Sequence, residues 1–194
     1  MGLTIHSLGE LPGDARRSYY LYVLDYGWEE PIGDTLRINF MKMADLASRN
    51  DAVILQGVVG SHFVDEVLSW HHVNGREAED LLPGILITTR HPMEFRDQGF
   101  EKDTTGADNA MILIPIKMIC SSATEVVALV RRIFADIAEG KALQHFEIAD
   151  TMEKGANGAI TDALILQPNF AGVGVDVKKL FSFLRGAKGS RGNV

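Results

Sequence analysis

Apolar residues along this chain fall into two rhythms: short unbroken runs, and longer stretches with a spacing near 3.6. The short runs predict strands. Tyr19–Leu24 (YYLYVL), Ala52–Leu55, Ile85–Thr89 (ILITT), Met111–Ile116 (MILIPI) and Ile160–Leu166 are rich in aromatic or branched residues. Ala52–Leu55 has no polar alternation, as expected of a strand covered on both faces. Leu3–Leu8 alternates weakly and reads as a short edge strand. Pro115 removes a ladder donor from MILIPI, which pushes that strand toward an edge or a bulge.

The longer stretches predict helices. Asp34 is a candidate N-cap for a helix with Leu36, Phe40, Met43 and Ala47 on one face, stopping around Arg49-Asn50. A second helix from about His62 places Phe63, Val67 and Trp70 on one side. Its early Asp65 and Glu66 and its late His71-His72 agree with the macrodipole, and Asn74-Gly75 supplies the stop. Ser122-Ala123-Thr124-Glu125 is a capping box, followed by the stripe Val126, Val130, Ile133 and Ile137 and a stop at Gly140. Leu143, Phe146, Ala149 and Met152 suggest a further short helix. Asp176 caps a last helix with Val177, Leu180, Phe181 and Leu184 inward. Arg90–Ala110 has no clear period, so this long connection is functional, mobile or hides a short helix.

Strands alternating with helices predict one α/β domain over residues 1–185, a three-layer sandwich with a mostly parallel sheet, flavodoxin-like or Rossmann-like. Residues 186–194 read as a flexible basic tail, with Arg185, Lys188 and Arg191 among glycines.

Composition narrows the classes. At 194 residues with 46% apolar content, the chain can bury a sizeable core without staples. A net charge of −7 disfavours a nucleic-acid partner. The single cysteine, Cys120, forms no intramolecular disulfide and no cysteine-based zinc site, which suits a reducing, cytoplasmic setting. The first seventeen residues lack the pattern of a signal peptide, and no run approaches the ~18 apolar residues of a membrane span, so no membrane partner is expected.

In a parallel sheet the loops after the strands converge on one edge, and ligands bind there. That edge would gather Asp25, Tyr26 and Trp28; Gln56, Gly57, Gly60, Ser61 and His62; Thr88, Thr89, Arg90 and His91; and Lys117, Cys120 and Ser121. Gly57 and Gly60 would let backbone N–H groups approach an anion, Ser61 would donate a hydroxyl, and Thr89, Arg90 and Lys117 would complete the ligand site. The turn GVVGSH matches neither the P-loop nor GxGxxG, and a tight strand-to-helix turn wants glycine on conformational grounds as well. His62 and His91 are the candidates for acid–base work, with Asp25 as orienting group or base. No pair has the spacing of a known catalytic constellation. No metal site is expected, since His71-His72 reads as a helix end. Cys120 precedes a helix N-terminus, which can lower a thiol pKa, but a buried inert thiol is the default. Ser61 does not lie in GxSxG.

The layout resembles flavodoxin-like, response-receiver-like and TIR-like folds. A receiver would add an acidic pair and a central phosphorylatable aspartate. Here Asp25 stands alone, and only Thr88 and Lys117 match the softer positions. A TIR hydrolase would use a helical glutamate near the pocket, and Glu66 has no surrounding motif. No family and no cofactor is assigned. The expected function is binding of a small anionic or nucleotide-like ligand at the C-terminal edge of the sheet. The alternative is a non-enzymatic interaction or regulatory module, or a homo-oligomer. Its support is the aromatic cluster Tyr19, Tyr20, Tyr22, Tyr26, Trp28 and Trp70, with a second sticky edge at Phe170 and Gly172–Gly174.

Overall fold

The structure is a computed structural model that describes residues 1–27, 30–71, 73–74, 81–97, 111–149, 165–166 and 175–176. Trp28, His72, Phe170, Gly172, Gly174, the predicted last helix and the basic tail lie outside the described residues.

The strands are β1 (Gly2–Ile5), β2 (Tyr19–Leu24), β3 (Ala52–Gly57), β4 (Val73–Asn74), β5 (Gly84–Thr88), β6 (Met111–Pro115), β7 (Ile165–Leu166) and β8 (Val175–Asp176). The helices are α1 (Pro31–Arg49), α2 (Phe63–Trp70), α3 (Pro92–Asp97), α4 (Ile116–Ile119) and α5 (Ala123–Ala138). The main sheet runs β1-β3-β2-β5-β6-β7, and β4 pairs with β8 in a separate two-stranded ribbon.

The expectation of a mostly parallel, flavodoxin-like or Rossmann-like sandwich is overturned by the strand directions. Only β1–β3 and β2–β3 are parallel, while β2–β5, β5–β6 and β6–β7 are antiparallel. Helix length supplies a physical reason. The nineteen residues of α1 rise roughly 28 Å, enough to carry the chain back past a strand of roughly 20 Å and start β3 parallel to β2. The eight residues of α2 rise only about 12 Å, so α2 is no complete crossover. The chain returns to the end of β2, Gly84 lies opposite Leu24, and β5 runs the other way.

Alternation along β2 assigns the two faces, because successive side chains point to opposite sides of a strand. Tyr19 meets Phe146 with ring centroids 6.0 Å apart, on the side where α1 and α5 pack together. Tyr20 meets His91 at 5.4 Å and Tyr22 meets His71 at 4.9 Å, on the side of α2 and α3. All six residues of β2 are buried, as are Leu36, Phe40, Met43 and Ala47 of α1. Among the described residues no helix is long and apolar enough to cross a membrane.

Several local expectations shift. α1 begins at Pro31, with Glu30 at the N-cap and Asp34 inside the first turn, because proline at N1 has its φ already set for a helix. β6 is flanked on both sides, by β5 and β7, instead of forming an edge. Pro115 is tolerated as its last residue, beyond the Met111–Ile112 segment that β7 pairs. The Ser122 hydroxyl caps α5 by accepting from Glu125 N at 3.3 Å, while the Glu125 carboxylate accepts from Ser121 N. Gly140 ends α5 with φ +65°, a left-handed value that favours glycine. The aperiodic Arg90–Ala110 stretch does hold a short helix, α3.

Candidate functional site

Where the parallel pair β2–β3 ends, two loops, the first turn of α2 and the second turn of α1 enclose a cavity of about 220 Å³. Val23 lines it from β2, Asp25, Tyr26 and Gly27 from the loop after β2, Gln56 to His62 from the end of β3 and the glycine turn, Phe63 to Asp65 from α2, and Arg37 from α1. Of the predicted ligand residues, Gly57, Gly60 and Ser61 meet here, together with the acid–base candidates Asp25 and His62.

The turn is shaped by its glycines. A Cβ on Gly57 would sit 2.5 Å from Phe63 Cβ, so only glycine lets β3 hand over to α2 this closely. Gly60 has φ +82° and open space around it, so its requirement is dihedral. Ser61 N donates to Val58 O at 3.0 Å and closes the turn. Ser61 Oγ is buried without a hydrogen-bond partner among the described residues.

Arg37 supplies the charge. Its Nη1 donates to Asp25 Oδ2 at 2.7 Å and its Nη2 to Asp34. Asp25 Oδ1 accepts from Gly27 N at 3.0 Å, and a Cβ on Gly33 would lie 2.9 Å from Asp25 Oδ2. The carboxylate therefore seats against the bare first turn of α1, where the helix dipole favours it. Two carboxylates hold the guanidinium in place at the cavity wall. In the first turn of α2, Asp65 Oδ1 accepts from Tyr26 OH at 2.7 Å, and Asp65 Oδ2 lies 3.6 Å from His62 Nδ1. The His62 side chain is 96% exposed, so it stands at the mouth. Glu66 anchors α2 by accepting from the Ser7 hydroxyl and Leu8 N.

The remaining predicted residues lie elsewhere. β5 runs antiparallel to β2, with Thr88 opposite Tyr20, so Thr89, Arg90 and His91 fall at the far edge of the sheet. There Arg90 Nε pairs with Glu94 at 3.3 Å and its guanidinium stacks over Phe95. His91 is buried; its Nδ1 accepts from Met93 N and its Nε2 faces Pro12 O, both at 3.2 Å. Burial lowers its pKa, so it is a neutral packing residue. Lys117 is at the right edge but binds Glu30, the N-cap residue of α1, and does not line the cavity. Cys120 is buried, and burial raises its thiol pKa, with the Glu125 charge adding to the rise. Tyr19, Tyr20 and Tyr22 are core residues rather than an interface.

Comparisons with protein-family models, with curated proteins and with solved structures return no match. The chemistry must therefore be read from the geometry alone. Among the described residues no three His, Cys, Asp or Glu side chains gather as a metal site. Arg37 is the residue that strand-end reasoning missed. Its signal was available: a helix that follows a strand starts at that strand's C-terminal edge, so an arginine in the second turn of α1 reaches the glycine turn after the neighbouring parallel strand.

Proposed function

We propose that this protein binds a small anionic ligand at the C-terminal edge of the β2–β3 pair. The observation that carries the reading is Arg37, pinned by Asp25 at 2.7 Å and presented to a cavity that also holds the glycine turn and the α2 N-terminus. A guanidinium with two donors already committed keeps others for a carboxylate or phosphate oxygen. The first N–H groups of α2 have no partner within the helix and point the same dipole end at the site. Ser61 Oγ offers one further hydroxyl. At about 220 Å³ the cavity is smaller than the ~300–1,000 Å³ of pockets for drug-sized ligands. It takes a compact anion whole, or the anionic end of a nucleotide-like molecule. Binding rather than catalysis is the reading, because among the described residues the exposed His62 ring lies beside Asp65 and no nucleophile. The single buried thiol suits a reducing compartment such as the cytosol.

The test is calorimetry with inorganic phosphate, nucleotides and small carboxylates. Wild type is expected to bind at least one, and Arg37→Gln to weaken it at least about tenfold, the worth of one charged hydrogen bond. A wild type that binds none of the panel removes this reading.

A second reading has its own observation. Ile38 and Met41 of α1 are 78% and 76% exposed, and Ile38 lines a shallow groove with Val127 and Ala128 of α5. Protruding apolar side chains next to a groove of small residues suit an interaction surface, including one with a second copy. Light scattering across a concentration series tests it: association that Ile38→Lys abolishes supports it, and a strict monomer removes the homo-oligomer.

A further inference from the structure

β1 is an end strand of the main sheet: among the described residues it pairs with β3 alone. In a parallel ladder the N–H and C=O of one residue point the same way, and successive residues alternate. Ile54 N donates to Met1 O at 2.8 Å and Val58 N to Ile5 O at 3.0 Å, so Met1, Leu3 and Ile5 face β3. The main-chain groups of Gly2 and Thr4 therefore point out of the sheet. Natural proteins blunt such edges with lysine, proline or a bulge. Gly2–Ile5 (GLTI) has no charge and no proline, and its register with β3 is unbroken.

The two outward residues stand symmetrically about Leu3. A two-fold axis at Leu3 sets Gly2 of one copy opposite Thr4 of the other in antiparallel pairing. Each such pair exchanges both N–H···O bonds, so four main-chain hydrogen bonds form. Helix α1 fits the same axis. It packs on β1 and β3, and a Cβ on Gly2 would lie 2.2 Å from Ala44 Cβ. Strands are about 4.8 Å apart, so a helix over the β1–β3 pair lies about 5 Å from the axis. Its copy then lies about 10 Å away, within packing distance of two helices. α1 joins the parallel β2 and β3, so it runs against them and against β1. One residue of β1 rises roughly 3.3 Å and one of α1 about 1.5 Å, which places the axis about two residues before Ala44, beside Met41. Met41 is 76% exposed. The antiparallel helices also set the Asp34 end of one copy beside the Arg49 end of the other, and both side chains are largely exposed.

We infer that the chain forms a two-fold dimer by pairing β1 with β1 of a second copy, joining the two sheets edge to edge. This rests on the interaction reading above, names its partner, and moves the contact from the Ile38 groove to the β1 edge and Met41.

The experiment is sedimentation equilibrium of the full chain: wild type, Thr4→Pro, Met41→Lys and Ile38→Lys, each checked for folding by circular dichroism. The Thr4 N–H takes no part in the pairing with β3, so proline there spares the monomer sheet. Wild type is expected to dimerise. Thr4→Pro and Met41→Lys are expected to weaken the dimer at least about tenfold, and Ile38→Lys to leave it unchanged. With oxidised glutathione, Met41→Cys is expected to form a disulfide-linked dimer and wild type none, since Cys120 is buried. Dimerisation that Ile38→Lys abolishes and folded Thr4→Pro spares overturns the β1 pairing but leaves the interaction reading standing. Exposed Met41 variants keep the fold whatever Thr4→Pro does, so a Met41→Cys chain that forms no cross-link also overturns the pairing. A strict monomer overturns both the pairing and the homo-oligomer.

Discussion

Arg37 Nη1 donates to Asp25 Oδ2 at 2.7 Å, joining the end of β2 to the second turn of the helix that follows it. The Asp25 side chain is only 10% exposed, so this guanidinium and Gly27 N take the place of the water its oxygens would otherwise bond. The pair both positions the arginine for a ligand and closes the β2-to-α1 corner.

Gly33 makes that seat possible. Replacing a helical glycine by alanine ordinarily adds up to ~1 kcal/mol of stability. At this position the new Cβ would lie 2.9 Å from Asp25 Oδ2, and the carboxylate cannot retreat without loosening Arg37. Gly33→Ala is expected to destabilise by ~1–2 kcal/mol, the cost of a forced overlap. Urea denaturation measures it, and a more stable variant would show that Asp25 has room to move.

The two glycines of the turn are expected to differ in the reason for their cost. Gly57→Ala brings a Cβ to 2.5 Å from Phe63 Cβ, a backbone-anchored overlap, and is expected to cost more than ~2 kcal/mol. Gly60→Ala meets no atom but must hold φ +82°, which costs about 1–2 kcal/mol. Equal midpoints for the two variants in denaturant would contradict the assignment.

His91 makes stability depend on pH. Burial, the largest influence, lowers its folded pKa below the ~6.5 of an unfolded histidine. The unfolded chain therefore takes up the proton first as pH falls. The His91 contribution is whole above ~6.5 and is lost as pH drops through 6.5 toward the folded value. His91→Gln should show a shallower fall in urea midpoint between pH 7 and pH 5 than wild type. Parallel curves for the two proteins would reject this role.

Cys120 should be chemically quiet. Its thiol is buried, and burial raises its pKa, so little thiolate is present at pH 8 and little of it is accessible. A colorimetric disulfide reagent is expected to modify native protein at least about a hundredfold more slowly than protein in denaturant. Comparable rates in the two states would place the thiol at the surface.

How far the chain could be read without its fold differs from element to element. β2 lies where YYLYVL predicts it, and the capping serine of α5 is Ser122 as its box predicts, because both depend on contacts within a few residues. Half of the candidate site was legible for the same reason: Asp25, Gly57, Gly60, Ser61 and His62 all end or follow β2 or β3, which a full-length crossover helix joins as a βαβ unit. Thr89, Arg90 and His91 went to the opposite edge because periodicity identifies a strand but says nothing of its direction. Lys117 reached the expected edge and was claimed there by Glu30, a partner 87 residues away in the chain.

Sequence alone determined β2, β3, β5 and β6, the buried stripes of α1, α2 and α5 and the cap of α5, since these follow from local propensity and the spacing of apolar residues. Only the tertiary structure decided that the sheet is mixed and that Arg37 rather than Arg90 stands at the glycine turn. Those outcomes depend on whether a helix such as α2 is long enough to return the chain across the sheet, and on which charged groups, distant in sequence, find each other first.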